Sequence, residues 1–392
     1  MKELLARLQD LYPQMQAWRR HLHQHPEISY EEEQTAAFVA ERLKGWGIVP
    51  QRNVGGHGVT ATIDSGRPGP AVALRADMDA LPIQDEKTCD YASKVPGVMH
   101  ACGHDAHTSV LLALACVLQE HRDQWRGRVR LLFQHAEEVS PGGALQMIEA
   151  GALEGVDVIY GVHLWTPFPV GTVSTRAGAC MAAADEFRIA VMGKGGHGGL
   201  PHETVDSIAI AAHTVVNLQS IVSRNTNPAD PAVISVGAIH GGQSFNVIAE
   251  TTVLSGTVRS FNEHTRDLLH RRVTEVAEQT AAMFGGRAVV DYKRGYPVVC
   301  NHAAETERFF SVARKWFEPD KVHESPLIMA GEDFAYYLRK VPGVFMFVGA
   351  GNPEKGIVYP HHHPRFDIDE TAMLHAGKLL LAMAWDYLHG TN

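Results

Sequence analysis

The chain of 392 residues is 45% hydrophobic and carries 35 basic and 44 acidic side chains, giving a net charge of −9. This length and apolar content allow a substantial core and suggest two domains, at roughly 100–200 residues per domain. Because the charges are not grouped into basic blocks, the acidic balance argues against a nucleic-acid partner. The sequence shows neither a long uncharged apolar run, as a membrane span requires, nor a signal-peptide pattern at the N-terminus.

The cysteine and histidine content indicates the cellular compartment and the kind of functional site. Five cysteines at scattered positions fit a reducing compartment better than a disulfide framework, and we expect a cytoplasmic protein. The 23 histidines are unusual, since several cluster with Cys, Asp and Glu, the residue types that bind metals. The composition therefore directs attention to metal sites.

The N-terminal region predicts two helices. Apolar residues recur at spacings of four and three from Leu4 to Leu22, which indicates one amphipathic helix. Ser29 and the glutamates behind it resemble a capping box with an acidic first turn. The second helix should then end near Gly45.

Short apolar runs alternate with helical segments in the following part of the chain. The runs AVALRA (71–76), VRLLFQHA (129–136) and VIYGVHL (158–164) predict strands, and HTSVLLALACVLQE (107–120) predicts a helix. This alternation is typical of a mixed or largely parallel sheet covered by helices. The late run VFMFVGAG (344–351) predicts another buried strand of the same layer.

The middle of the chain has a different rhythm, in which a strand, a helix, two strands, a helix and a strand follow one another. This β-α-β-β-α-β order is that of a ferredoxin-like unit. In its first helix we expect a core-facing stripe formed by Ile208, Ala212, Val215, Leu218 and Val222. We therefore predict an α/β protein of two domains: a catalytic domain of residues 1–183 and 299–392, with a small domain, residues 184–298, inserted into it.

The densest chemical signal is MHACGHDAH (99–107), in which Cys102 and His104 stand two apart in a glycine-containing loop before an apolar helix. Thiolate and imidazole are good ligands for zinc-like cations. A structural finger needs a closed set of four ligands with a second Cys or His pair at short spacing, and the sequence shows none. The pattern favours an open, mixed-ligand site over a packed or reactive cysteine.

Other polar residues follow predicted strands. Glu137 and Glu138 come directly after the strand at 129–136, and His163 closes the next one. Because the carboxyl ends of strands form the sites of open α/β sheets, one glutamate can bind a metal while its neighbour acts as general base. An isolated glutamate pair is usually a solvated surface, and its position after a buried strand favours the site. The segment VYPHHHPRFDIDE (358–370) is either an exposed turn or a further ligand source.

Ten segments together resemble the M20 family of di-metal peptidases and amidohydrolases, in the branch of bacterial aminoacylases, hippurate hydrolases and plant auxin-conjugate hydrolases. They are WRRHLHQHPEISYEE, RADMDALPI, MHACGHDAH, FQHAEE, GVHLW, GKGGHGGLPH, FNVIAE, GTVRSF, AGEDF and HHHPRFDIDE. Their order and the inserted domain match that family's two-domain plan, a mixed sheet flanked by helices with a ferredoxin-like lid and dimerisation domain. The resemblance implies metal-dependent hydrolysis of N-acyl-L-amino acids to a carboxylate and a free amino acid.

The resemblance also implies two divalent cations per subunit, with five ligands: Cys102, His104, Glu138, His163 and His362. Cys102 would bridge the cations, and Glu137 would be the general base. His362 is chosen because it stands two residues before Pro364, as in the family's H-x-P pattern, with His361 and His363 as alternatives. The sequence leaves open whether the cations are zinc, manganese, cobalt or nickel.

Three acidic residues close to these ligands have two interpretations. Asp77, Asp79 and Asp105 either orient the ligands or form capping and loop hydrogen bonds.

Substrate residues are implied on the inserted domain. His197 resembles the family's lid histidine, which reaches the active site of a neighbouring subunit. Asn246 and Arg259 match residues that grip the substrate, and arginine suits a carboxylate. Gly331 lies in a loop that lines the cleft. The implied partners are an N-acyl amino acid or short peptide and a second copy of the chain, in a homodimer or homotetramer.

Three other functions remain open. A carboxypeptidase or dipeptidase would meet the same carboxylate beside the same kind of bond. A silent metal-binding partner protein would lack the base or part of the ligand set. A thiol hydrolase using Cys102 as nucleophile would survive chelation.

Overall fold

The computed structural model of the chain describes residues 1–390. The α-helices of this part are α1 (Lys2–Asp10), α2 (Tyr12–Gln24), α3 (Glu33–Gly45), α4 (His104–Glu120), α5 (Gly143–Glu149), α6 (Ser207–Ser220), α7 (Glu263–Met283), α8 (Ala303–Trp316), α9 (Phe334–Leu338) and α10 (Thr371–His389). The strands are β1 (Pro50–Arg52), β2 (Val59–Asp64), β3 (Ala71–Asp77), β4 (Arg128–Gln134), β5 (Val158–Pro169), β6 (Val173–Thr175), β7 (Gly178–Met181), β8 (Ala183–Met192), β9 (Gly196–His197), β10 (Ala232–Gly241), β11 (Val247–Ile248), β12 (Thr251–Ser260), β13 (Arg287–Tyr296), β14 (Val299–Asn301), β15 (Val322–Glu324) and β16 (Gly343–Gly351).

The chain divides into two compact units. The first contains Met1–Gly178, Val299–Pro326 and the part of the chain from Asp333 onward, and the second contains Ala179–Val298 and Leu327–Glu332. The predicted fold class, a mixed α/β sheet flanked by helices with a ferredoxin-like insertion, is confirmed. The function of the second unit as a lid and dimerisation domain stays a prediction.

The first unit is built on an eight-stranded mixed sheet in the order β1-β2-β4-β3-β5-β16-β6-β15. Its central strands β4, β3, β5 and β16 run parallel to one another. All residues of β3 and β16 are buried, as expected for strands covered on both faces. Parallel strands bring their carboxyl ends to one edge of the sheet, and the polar segments that follow β3 and β4 therefore meet there.

The predicted first helix is interrupted. The structure contains α1 and α2, which meet at Leu11, instead of one helix from Leu4 to Leu22. Pro13 lies in the first turn of α2, where a missing N–H is tolerated, but it cannot donate to a carbonyl of the preceding turn. The apolar stripe continues across the break, and Leu4 and Leu22 are both buried.

The predicted capping box at Ser29 is wrong. The Ser29 hydroxyl donates to the carboxylate of Asp79, at 2.7 Å. The free N–H groups of Gln34 and Thr35 in the first turn of α3 donate instead to the carboxylate of Glu27, at 3.0 and 2.7 Å. A carboxylate outcompetes a hydroxyl here, since it is the stronger acceptor and its charge suits the helix N-terminus.

The second unit contains a four-stranded antiparallel sheet in the order β10-β12-β8-β13. This order is the one that a β-α-β-β-α-β chain adopts in a ferredoxin-like unit. The apolar faces of α6 and α7 share one core with the sheet, which includes Ile210, Val273 and Phe187.

The stripe predicted for α6 is partly wrong. Leu218 is buried, but Ile208 and Ala212 are exposed. The buried residues of this helix are Ser207, Ile210, Ala211, Thr214 and Leu218. Residues 208–212 are all apolar, so their periodicity could not choose which face turns inward.

No helix within residues 1–390 has the length and apolar character that crossing a lipid bilayer demands.

Candidate metal centre

The predicted ligands of the first unit lie along the carboxyl edge of its sheet. Glu138 follows β4, His163 lies within β5, and Cys102 and His104 flank the start of α4. Gly103 stands between them with a φ of 102°, a left-handed conformation that glycine adopts without strain. This residue lets the chain turn sharply into α4 with a ligand on either side.

One ligand group consists of Cys102, His104 and His163, whose donor atoms all lie within 4.8 Å of one another. Cys102 Sγ is 3.4 Å from His163 Nε2. His163 Nδ1 lies 2.9 Å from the carbonyl of Leu164, so this nitrogen carries the proton and Nε2 keeps its lone pair. The side chains of all three ligands are buried.

A second group consists of Cys102, Glu138 and His362, again with donor atoms within 4.8 Å. His362 Nε2 is 3.4 Å from Glu138 Oε2. The backbone N–H of His362 donates to the carbonyl of Ala101 at 2.8 Å, which fixes this loop beside Cys102. Cys102 belongs to both groups, as a ligand that bridges two cations must.

The other two histidines of the triplet are engaged elsewhere. The ring of His361 stacks on Trp165 at 4.4 Å, and its Nε2 accepts the N–H of Thr166 at 3.3 Å. His363 stacks on Tyr359, and its Nδ1 accepts the N–H of Arg365 at 3.0 Å. The geometry therefore favours His362 as the ligand, although its side chain remains 52% exposed.

Glu137 is 6% exposed and lies in the same cluster, with His104 and Glu138 as neighbours whose donor atoms come within 4.8 Å. The distance alone fits either a ligand or a base beside the ligands. The residue before it, Ala136, is buried and has a φ of 50°. Glu137 therefore follows a backbone conformation that side-chain-bearing residues rarely adopt.

Asp79 contacts two of the proposed ligands, which favours the interpretation that it orients them. Its Oδ1 is 3.0 Å from His104 Nδ1, and its Oδ2 accepts the backbone N–H of Glu138 at 2.9 Å. With Nδ1 held by Asp79, His104 directs Nε2 into the cluster.

Asp77 supports the same region from the end of β3. Its carboxylate contacts Arg75 Nη1 at 2.6 Å and His107 Nδ1 at 2.6 Å. His107 Nε2 accepts the N–H of Leu164, so both ring nitrogens are engaged. Asp77, His104 and His107 also bring donor atoms together, but in this group Asp77 and both ring nitrogens of His107 already form hydrogen bonds within the protein.

Asp105 joins a buried charge network. Arg19 Nε donates to Asp105 at 3.0 Å, and His23 Nδ1 lies 2.8 Å from the same oxygen. Arg19 also donates to Asp367 at 2.6 Å and to Glu370 at 3.1 Å. The network ties α2 to the start of α4 and to the segment that follows His362.

Two buried atoms in the centre lack hydrogen-bond partners: His104 Nε2 and Glu138 Oε1. They are 3.9 Å apart. An unsatisfied buried polar atom costs free energy, so a pair that faces the same space fits a bound cation. The residues present therefore suit the dinuclear metal group that the family resemblance implies.

The charges of the site support the same assignment. Burial would lower the pKa of His104, but Asp77 and Asp79 outweigh burial and raise that pKa to about 10. The two carboxylates thus favour a positive charge at His104, which a bound cation supplies in place of a proton. Burial, with His107 nearby, holds the pKa of His163 well below its ordinary value, so this imidazole is neutral and free to coordinate.

Cys102 has the opposite environment from a nucleophilic thiol. Burial raises its pKa well above the ordinary value, and the carboxylates Glu138 and Glu137 raise it further. Reactive cysteines are activated by positive surroundings, and the described side chains supply the reverse. A thiolate at this position requires bound cations.

The predicted substrate residues belong to the second unit and form two pairs. His197 lies in β9 opposite Val247 of β11, and the N–H of Gly198 donates to the carbonyl of Asn246 at 2.8 Å. Arg259 Nε donates to the carbonyl of Met329 at 3.2 Å. A Cβ on Gly331 would lie only 2.7 Å from the Cβ of Ala184, the residue paired with Arg259. The structure thus joins His197 to Asn246, and Arg259 to the segment of Gly331.

Sequence reasoning missed several supporting residues. His107 stands three positions after His104, a spacing that places both on one face of α4 and could have revealed it. Arg75 is a charged residue in the middle of a buried strand, which was also a usable signal. Glu32 gave no signal, because three adjacent glutamates look like a solvated helix start.

Comparison with known proteins agrees with this site. Residues 73–386 match the peptidase family M20/M25/M40. An N-acyl-L-amino acid amidohydrolase of Geobacillus stearothermophilus is 47% identical over 307 residues, 76% of this chain and 83% of that protein. An N-acetyl-L-cysteine deacetylase of Bacillus subtilis (strain 168) is 44% identical over 377 residues, 96% of this chain and 89% of that protein.

A crystal structure described as a dinuclear metal-binding peptidase of the M20 family, from Bacillus subtilis, has a TM-score of 0.83 at 34% identity and covers 98% of this chain and 100% of its own. The chain therefore belongs to the peptidase family M20/M25/M40, and within it is a metal-dependent amidohydrolase.

Proposed function

We propose that this protein hydrolyses the amide bond of N-acyl-L-amino acids, releasing a carboxylate and a free amino acid. In this proposal two divalent cations are held by Cys102, His104, Glu138, His163 and His362. The observation that carries it is the convergence of these five donor groups on Cys102, with unpartnered atoms of His104 and Glu138 facing each other. When bound, the cations lower the pKa of water and polarise the scissile carbonyl.

Glu137 performs the proton transfers. Its carboxylate removes a proton from the attacking water, and the resulting carboxylic acid delivers that proton to the departing amine nitrogen. The C–O bond forms when the water attacks, and the C–N bond breaks when the nitrogen receives the proton, so no other reactant is needed. Its burial beside Glu138 supports this role, because a base shielded from bulk water keeps the proton near the reacting atoms.

The second unit binds the rest of the substrate. Arg259 is half-buried, and its guanidinium is held by the carbonyls of Met329 and Val258. An arginine fixed in this way suits the carboxylate of an N-acyl amino acid. His197 and Asn246 then supply donors to the oxyanion of the transition state, and Gly331 lies in a loop that lines the substrate cleft.

A homodimer or homotetramer formed through the second unit is part of the proposal. β10 is an edge strand of its sheet within the described residues, and Ile239 on that strand is 49% exposed. An exposed apolar edge of this kind is suited to pairing with another chain. Light scattering of the purified protein would measure the number of subunits, and a monomer would contradict this part.

The test is amino acid release from N-acetyl-L-methionine and from its C-terminal amide, after chelation and reloading with zinc, manganese or cobalt. We expect metal-dependent cleavage of the acid and little of the amide. Turnover that survives complete chelation would favour a thiol hydrolase. Failure with every metal on every substrate would favour a silent binder.

A peptide substrate distinguishes carboxypeptidase activity from aminoacylase activity. A relative described as a thermostable carboxypeptidase makes carboxypeptidase activity the second candidate. Benzyloxycarbonyl-glycyl-methionine presents the same carboxylate beside a peptide bond. Cleavage of this peptide at a much higher kcat/KM than N-acetyl-L-methionine would replace the aminoacylase assignment.

A further inference from the structure

The short segment between α2 and α3 contacts the loop that carries Glu137. The hydroxyl of Tyr30 donates to the carbonyl of Val139 at 3.1 Å and accepts the N–H of Gly142 at 3.2 Å. The carboxyl group of Glu32 accepts the N–H of Ala136 at 2.6 Å. Residues 30–32 therefore brace this loop from one side, although about a hundred positions separate the two segments along the chain.

Ala136 has the strained backbone conformation of this loop. Its φ of 50° lies in the left-handed region, where the Cβ of any residue other than glycine is crowded. The residue is fully buried, and both of its backbone polar groups are paired, since its carbonyl accepts the N–H of Gly143 at 2.9 Å. Such conformations persist only when their surroundings hold them, and they cluster at active sites.

Burying the carboxyl group of Glu32 at this position costs free energy. Its side chain is fully buried, and its second oxygen has no hydrogen-bond partner. Burial, together with the nearby Asp79 carboxylate, raises the pKa of Glu32 to about 8, so the neutral acid predominates at neutral pH. The neutral acid still offers an oxygen that accepts the N–H of Ala136, and the side-chain oxygen of a glutamine would accept the same hydrogen bond.

We propose that Glu32 is a positioning residue for the general base: by accepting the Ala136 N–H it holds Ala136 in its left-handed conformation and so directs the Glu137 side chain. The inference rests on the proposed role of Glu137. Glu32 is none of the proposed ligands or substrate residues, and it acts through one peptide group.

The experiment compares single and double variants of the metal-loaded full-length protein. Glu32→Leu removes the acceptor and keeps most of the volume, and we expect kcat to fall about 10-fold or more at unchanged KM and metal content. Glu32→Gln should stay within about 2-fold of wild type, since it keeps the acceptor. Adding Ala136→Gly to Glu32→Leu should recover most of the lost kcat, because glycine adopts a positive φ without strain.

Two controls separate the possible failures. Glu31→Leu makes the same substitution at the adjacent, exposed glutamate and should leave kcat unaltered. Glu137→Gln tests the base itself: substantial turnover in that variant would end the proposed mechanism whatever Glu32 does. If Glu137→Gln is inactive but Glu32→Leu keeps its kcat, the positioning role alone is wrong.

A purely structural role would give a different pattern. Glu32→Leu would then lose metal or melt at lower temperature in proportion to its loss of kcat, and Ala136→Gly would not restore turnover. That result would also overturn the inference. If Glu32→Leu does not fold, Glu32→Ala with and without Ala136→Gly provides the same comparison: recovery of kcat by the glycine supports the positioning role, and no recovery overturns it.

Discussion

One carboxylate, that of Asp79, aligns Glu138 as well as His104. It accepts the N–H of Glu138 at 2.9 Å through one oxygen and lies 3.0 Å from His104 Nδ1 through the other. Two proposed ligands, one from the loop after β4 and one from the start of α4, therefore depend on the same buried side chain. Its removal should loosen both at once.

Asp79→Asn should lower the affinity for the activating cation by about 10- to 100-fold, because an amide cannot accept at both positions. We expect activity to return when the cation is added in excess, since the five proposed ligands remain. Metal titration followed by turnover measures this, with the exposed Asp10→Asn as control. Unchanged metal affinity would mean that Asp79 does not orient the ligands.

His362 and His363 should respond differently to the same substitution. His362→Gln removes a proposed ligand, so we expect loss of bound metal and a fall in kcat/KM of about 100-fold or more. His363→Gln replaces a ring that stacks on Tyr359 and should keep both metal content and turnover near wild type. Elemental analysis of the two purified variants gives the answer. The reverse pattern would make His363 the ligand.

Arg259→Ala should raise the KM for N-acetyl-L-methionine by roughly 10- to 100-fold, the loss expected for charge-assisted hydrogen bonds to a carboxylate. The KM for the C-terminal amide should hardly change, because that substrate lacks the charge. Arg271→Ala, on the exposed face of α7, is the matched control in the same unit. An equal rise in KM for both substrates would exclude a carboxylate clamp.

Glu32 should make stability depend on pH. Its folded-state pKa of about 8 lies above the value of an unfolded glutamate, so the folded protein holds a proton that the unfolded chain releases. Raising the pH from about 5.5 to about 8 therefore favours unfolding, by an amount on the order of 3 kcal/mol from this group. Glu32→Gln removes this dependence.

Melting temperatures of wild type and Glu32→Gln measured across this pH range provide the test. The advantage of the glutamine variant should grow with pH, while Glu31→Gln should track wild type throughout. Parallel curves for wild type and Glu32→Gln would show that the buried carboxyl group does not gain its proton on folding.

The sequence predicted most strands and helices because each type of element has its own spacing of apolar residues. Strands β3, β4, β5 and β16 are mostly apolar, and the second unit alternates strands and helices in a recognisable order. The stripe predicted for α6 was partly wrong because residues 208–212 are all apolar, and only the tertiary packing decides which of them is inside. A local sequence pattern therefore predicts whether a segment is a helix or a strand better than it predicts which face of that segment is buried.

The proposed ligands could be chosen from the sequence, whereas several residues that contact them could not. Cys102, His104, Glu138 and His163 follow or flank elements in ways that a sequence displays. The hydrogen bond from Ser29 to Asp79 joins residues 50 positions apart, and that from Ala136 to Glu32 joins residues 104 positions apart. Such pairings arise only when helices dock on the sheet, so local propensity assigned Ser29 to a cap instead.

The docking of α4 on β3 has a consequence for how the centre is assembled. His107 Nδ1 meets the Asp77 carboxylate at 2.6 Å, and the hydroxyl of Thr108 donates to the Asp77 carbonyl at 2.8 Å. Both contacts are between protein groups, so we expect this scaffold to form without cations. Metal uptake is then a loading step separate from folding, and a chelated protein should keep its helical circular dichroism and regain activity on reloading without a refolding cycle.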